Sequence, residues 1–153
     1  MKITAKRLIT TFMAVLMLFL NCTPVVTSAS PAVYNDSGIS PYLSNCSSCT
    51  YSFSAVEGEA HVAVSYVAKS ETFTYAKLTV KIQKRFLGVF WSTVDIGETN
   101  NEWIAYCYDE LGDFYNSFPL DSTGTYRAVL TIQFYGTTGV VDEIEDTIVS
   151  VYE

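Results

Sequence analysis

Ala76-Lys77-Leu78-Thr79-Val80-Lys81-Ile82-Gln83 sets an apolar side chain at every even position and a polar one at every odd position. Successive side chains of a strand point to opposite faces, so this octet reads as a strand with one oily and one wet face. A second such run sets Tyr126, Ala128, Leu130, Ile132 and Phe134 against Arg127, Thr131 and Gln133. These nine inward residues are the predicted heart of the core. Ahead of them, Tyr51 to Ser54 begins an alternation that Glu57-Gly58-Glu59 turns, after which Ala60, Val62, Val64 and Tyr66 oppose His61, Ala63 and Ser65. Val89 to Ile96 is β-rich without clean alternation, as at a bulge or a sheet edge. Trp103 to Tyr108 and Ile144 to Val151 are further strands, and Asp109 to Asp113 is expected to break the first of these. Past residue 30 no window carries an apolar 3.6-residue period, and Gly, Asn and Asp separate the runs at roughly ten-residue spacing. The chain is therefore predicted to be all-β.

Between a barrel and a sandwich, the local cue is Leu120-Asp121-Ser122-Thr123-Gly124-Thr125-Tyr126. A tyrosine at the start of a late strand, two residues after Gly and five after Asp, resembles the tyrosine corner of Greek-key sandwiches, in which the phenol ties back to upstream backbone. Tyr126 takes that role. The expected fold is an antiparallel immunoglobulin-like or fibronectin-like sandwich of about seven strands, preceded by a signal-peptide helix.

The helix is read from the start of the chain. Lys2, Lys6 and Arg7 precede an apolar run from Leu8 to Leu20, 13 residues long, against the roughly 20 that a membrane-spanning helix needs. Pro24 and the small residues Thr27-Ser28-Ala29-Ser30 follow, so residues 1–29 read as a cleaved signal, with cutting after Ala29 and with Ser28 and Ser30 as neighbouring choices. Residues 30–45, with two prolines and several Ser and Asn, read as a flexible linker, and 46–153 as the β-domain. Secretion to the extracellular space follows. The alternative is a lipoprotein anchored at Cys22, against which Asn21 stands where a small residue is wanted.

Loss of the leader removes three of the 9 basic residues and none of the 16 acidic ones, leaving a formal charge of −10. A surface so acidic argues against nucleic acid and anionic lipid as partners, and no membrane partner is expected after signal cleavage.

Taken in order, Ser47-Ser48-Cys49, the Lys77 to Lys84 strand, Trp91-Ser92-Thr93-Val94 and Gly124-Thr125-Tyr126-Arg127 resemble a group of small secreted β-sandwich proteins of Gram-positive bacteria whose domain has no assigned function. The resemblance spans most of 47–152. It implies secretion and a sandwich, and it brings no catalytic residues. The turn at Phe86-Leu87 and the segment from Tyr106 to Phe118 are more aromatic here than in that pattern.

The candidate sites are few. Cys46-Ser47-Ser48-Cys49 has the spacing of a redox or zinc half-site, but a strand follows where redox chemistry wants a helix, and only Cys107 and His61 remain as further ligands. Cys46, Cys49 and Cys107 are expected instead to supply a disulfide, with three pairings open. His61 is the only histidine and lies on an outward face, with no Gly-x-Ser-x-Gly nucleophile motif in the chain. Asp109, Glu110 and Asp113, and Asp142, Glu143, Glu145 and Asp146, form two acidic runs without calcium-loop spacing; the expected reading is solvated loops or an edge strand guarded by charge. No catalytic residue, metal or cofactor is assigned.

What stands out is aromatic density. Phe, Trp and Tyr make up 14% of the chain, and Trp103, Tyr106, Tyr108, Phe114, Tyr115 and Phe118 fall within 16 residues. Trp103, Tyr106, Tyr108, Phe114 and Tyr115 are the candidate binding residues, since exposed aromatics stack on sugars or act as protein hot spots. The other reading is a hydrophobic cluster under a loop. The expected function is an extracellular binding or interaction module for an unknown protein or glycan, not an enzyme. The alternatives are a secreted hydrolase using a carboxylate pair, and a structural or antagonistic factor without a small ligand.

Overall fold

The computed structural model describes residues 43–153. The expected signal, Cys22 and the linker as far as residue 42 lie outside the described residues. The rest is all-β, with eight strands: β1 (Cys46–Val56), β2 (Glu59–Ala68), β3 (Phe73–Phe86), β4 (Phe90–Thr93), β5 (Trp103–Cys107), β6 (Leu111–Pro119), β7 (Gly124–Gly136) and β8 (Val141–Tyr152). A single 3₁₀ turn, Thr99–Asn101, occupies the link between β4 and β5.

Two antiparallel sheets result. One has the order β1-β2-β6; the other runs β4-β3-β7-β8, with β5 pairing along the same edge of β3 as β4. Strand β3 is long enough to serve both short strands: Ala76 to Val80 pair with β5, and Gln83 to Phe86 with β4. This is why 89–96 alternates poorly. Only Phe90–Thr93 is strand, and it lies at a sheet edge.

All nine predicted core residues of β3 and β7 are buried, as are Ala60, Val62, Val64 and Tyr66 of β2. They meet Tyr51, Phe53 and Ala55 of β1 and Phe114 and Phe118 of β6 in one core cluster. The seam between β1 and β8 carries side-chain bonds across the gap. Tyr51 Oη donates to Asp146 Oδ2 at 2.7 Å, and the Ala55 amide donates to Ser150 Oγ at 3.0 Å, satisfying an edge-strand donor that a ladder would otherwise have used.

Strand β6 is the element that the sequence hides. Its inward positions are Gly112, Phe114, Asn116 and Phe118, and Gly112 beside Asp113 reads as a turn. Only Tyr108, Asp109 and Glu110 separate β5 from β6.

Packing begins before the first strand. Leu43 rests against the core and Asn45 is fully buried. The Ser44 and Asn45 amides donate to the two carboxylate oxygens of Asp142 at 2.9 and 2.5 Å, and Asn45 Nδ2 donates to the Phe134 and Val140 carbonyls. Three residues of the predicted linker thus belong to the packed unit. Asp142 is correspondingly not a solvated charge: it is a buried acceptor that ties the chain's approach to β1 to the start of β8.

Candidate functional site

Strand period divides the aromatic segment 103–118 between the two sheets. In β5, Trp103, Ala105 and Cys107 turn toward the core, and Ile104 and Tyr106 turn out. Trp103 is half-buried, its ring 5.8 Å from that of Phe118 in an edge-on arrangement that joins β5 to β6. Phe114 is interior, so it offers no surface, contrary to the expectation that placed it among binding residues. Tyr115 is exposed, but on the outer face of the three-stranded sheet, away from Tyr106. The five candidates do not form one surface, because a turn at Asp109-Glu110 sends β5 and β6 into opposite sheets.

What the fold assembles instead is a tyrosine patch on the outer face of the five-stranded sheet. Tyr75 of β3 stands directly across from Tyr135 of β7, their rings nearly parallel with centroids 4.3 Å apart. Tyr106 and Tyr108 approach Tyr75 from the other side at 6.2 and 5.8 Å. Tyr106 is 55% exposed and Tyr108 71%. Burial among these rings, then the neighbouring phenols of Tyr135, Tyr106 and Tyr108, push the Tyr75 hydroxyl above its ordinary range, so it stays a protonated donor. Tyr135 Oη donates to Gln133 Oε1, and Gln133 Nε2 donates to Glu143, which sets a polar border along the patch. Sequence reasoning found Tyr106 and Tyr108 by local density. It missed Tyr75 and Tyr135, each isolated in its own strand, whose register alone brings them together.

A smaller arrangement lies on the opposite sheet. His61 Nδ1 is 3.1 Å from Tyr115 Oη, with Glu59 Oε2 3.8 Å from Nε2. The row is on an open strand face where Tyr115 is 67% exposed and the His61 and Glu59 side chains both reach solvent, so water has access to it.

The cysteines converge on Tyr66 at the end of the sandwich where Asn45 sits. A bulge between Cys46 and Ser48 turns both Cys46 and Cys49 inward although they are three residues apart. All three described cysteines are free thiols, so the expected disulfide is not formed. Cys46 donates to the Ser48 carbonyl at 3.1 Å, and Cys107 lies beside the Tyr66 hydroxyl, which donates to the Asp109 carbonyl. Burial raises Cys46 to about 11, despite the bond to Ser48, and Cys49 to about 12. Thiols so high are almost wholly protonated at neutral pH and are poor nucleophiles.

Among the described residues no group of three or more His, Cys, Asp or Glu side chains is placed to hold a metal ion. Asp109, Glu110 and Asp113 stand exposed around the β5–β6 turn, while Asp142, Glu143, Glu145 and Asp146 alternate along the edge strand β8. At the other end of β7, Tyr126 is buried and its hydroxyl donates to the Ser122 carbonyl four residues upstream.

Comparison with protein-family models, with curated proteins and with solved structures returned no match.

Proposed function

We propose that this chain is an exported binding module, an immunoglobulin-like or fibronectin-like sandwich that recognises an extracellular protein or glycan through Tyr75, Tyr106, Tyr108 and Tyr135. One observation carries the reading: three strands and the residue after β5 bring four phenol rings onto a single outward patch, two of them more than half exposed. A phenol offers a flat apolar face for stacking and a hydroxyl for directed bonding, and it loses little rotamer freedom on contact, which suits both sugar stacking and protein hot spots.

Export is supported by the charged start, short apolar run and small-residue stretch of residues 1–29. The finer fold reading is supported by strand order. Sheet β1-β2-β6 facing β4-β3-β7-β8 corresponds to strands A-B-E facing C′-C-F-G, with Tyr126 near the start of the strand equivalent to F, where a tyrosine corner belongs.

The test is binding of the protein to glycan arrays and to extracellular protein fractions, wild type against Tyr106→Ala/Tyr108→Ala. At least a ten-fold loss of affinity is expected for the double variant. Undiminished binding, or an equal loss with Tyr115→Ala on the other sheet, refutes the assignment of the site. Trp103→Ala is a poor probe, since that ring packs on Phe118.

A further inference from the structure

The β3–β4 hairpin ends in Phe86-Leu87-Gly88-Val89-Phe90, with Phe86 59%, Leu87 76%, Val89 68% and Phe90 65% exposed. This is the opposite end of the molecule from the tyrosine patch, since Tyr75 and Phe86 are eleven residues apart on one strand, roughly 35 Å at the usual rise. The turn closes through the Val89 amide donating to the Phe86 carbonyl, with Leu87 at φ +50° and Gly88 at +73°. Two consecutive positive φ values favour Asn-Gly or Asp-Gly. The β1–β2 turn uses a polar residue in the same conformation, Glu57 at +52° before Gly58 at +83°. At Leu87 the backbone is held in a region that an apolar γ-branched side chain adopts reluctantly, and the side chain so placed is the most exposed large apolar one among the described residues. Neither core packing nor turn chemistry calls for a leucine there.

Charge is gathered at the same place. Of the six Lys and Arg among the described residues, Lys84, Arg85 and Arg127 stand at the base of this hairpin. Arg85 pairs across the ladder with Trp91, and the Arg127 guanidinium lies 4.3 Å over the Trp91 ring. Lys84 Nζ lies over the Tyr126 ring and donates to Ser122 Oγ. Lys84 and Arg85 line a cleft of about 370 Å³ together with Ser92, Thr93, Asp95 and Asp121.

We propose that the β3–β4 hairpin docks the domain onto a phospholipid bilayer, with Phe86, Leu87, Val89 and Phe90 entering the boundary between headgroups and acyl chains and Lys84 and Arg85 at the depth of the phosphates. An apolar tip backed by an interfacial tryptophan and by basic side chains that stay in the headgroup layer is the arrangement expected of an interfacial anchor. The tip is convex and four side chains wide. A fluid bilayer accommodates that shape without a preformed pocket, whereas a protein partner would need one. Glu71, Asp109, Glu110 and Asp113 lie at the far end of the sandwich, where charges more than about 8 Å away are screened at physiological ionic strength. Asp95 and Asp121 share the cleft with Lys84 and Arg85 and offset part of their charge, so the contact is carried by the apolar tip and does not require anionic lipid.

The protein recovered from culture medium, its intact mass recorded to establish loss of the leader, is to be floated with phosphatidylcholine vesicles and with vesicles of phosphatidylcholine and phosphatidylglycerol. Wild type is expected to float with both. Replacing Phe86, Leu87, Val89 and Phe90 together by Ser is expected to lower the bound fraction at least ten-fold with an unchanged circular dichroism spectrum. Leu87→Asn alone is expected to melt at or above the wild-type temperature, because it suits the turn, while binding several-fold more weakly. Tyr106→Ala/Tyr108→Ala is expected to leave flotation unchanged, which separates this contact from the tyrosine patch. The proposal is overturned if wild type floats with neither vesicle or if the four-serine variant floats as well as wild type. It is equally overturned if wild type does not float and the tip substitutions convert a dimer into a monomer or abolish capture of a protein ligand.

Discussion

The ring of Tyr66 lies across Gly112: a Cβ built on that glycine would collide with Cε1, Cζ and the hydroxyl oxygen of the tyrosine. The two residues are directly paired between β2 and β6, and the ring fills the space that a side chain on β6 would occupy. Gly112→Ala should therefore cost about 2–4 kcal/mol by forcing the ring off its contacts with Phe73, Phe114 and Phe134. A urea titration should show a lower midpoint. Tyr66→Phe keeps the ring and loses the hydroxyl, with its bond to the Asp109 carbonyl and its contact with Cys107, so a smaller loss, about 1 kcal/mol, is expected.

Asp142 is the second structural hinge of stability. Its carboxylate accepts from two backbone amides, and Asp142→Ala leaves Ser44 and Asn45 without those acceptors. The expected cost is about 2–4 kcal/mol. Hydrogen exchange locates it: protection should fall first at the Ser44 and Asn45 amides, before that of the β3 and β7 ladder.

Stability should decline in alkali. Well below pH 9 both buried thiols are protonated whether the chain is folded or not. Above the ordinary value of 9.0 the unfolded chain releases those protons, while the folded chain holds them until about 11 at Cys46 and about 12 at Cys49. The folded state then binds more protons, so stability falls with rising pH by up to about 1.4 kcal/mol per pH unit per thiol. Thermal melts from pH 7 to 10.5 test this, and Cys46→Ala/Cys49→Ala should flatten the slope while lowering stability at pH 7. At pH 7.5, a thiol reagent should modify half-buried Cys107 faster than Cys46 or Cys49.

Tyr126→Phe should cost about 1 kcal/mol, the worth of the hydroxyl's bond to the Ser122 carbonyl. The ring, and the Lys84 ammonium above it, remain. Chemical denaturation measures the difference, and a change below a few tenths of a kcal/mol would show that the bond contributes nothing net.

Period two was readable wherever one face of a strand is uniformly apolar, as in β2, β3 and β7, because alternate side chains of a strand must share an environment. Strand β6 escaped for a physical reason: its inward face holds Gly112 and Asn116, the glycine because Tyr66 fills its place. Asn45 escaped likewise, since a polar residue next to prolines and serines reads as linker until Asp142, nearly a hundred residues away, is brought against it.

The sequence by itself determined the all-β class, the inward residues of the three clear strands, and the outward placement of His61, since each follows from the chain's own alternation. Only the tertiary structure decided which aromatics share a surface. Tyr75, Tyr106, Tyr108 and Tyr135 meet through the register of β3 with β5 and β7, while Phe114 and Tyr115, adjacent in the chain, face opposite ways. Register is a relation between strands, set by how two sheets close over one core, and no local pattern in a single strand encodes it.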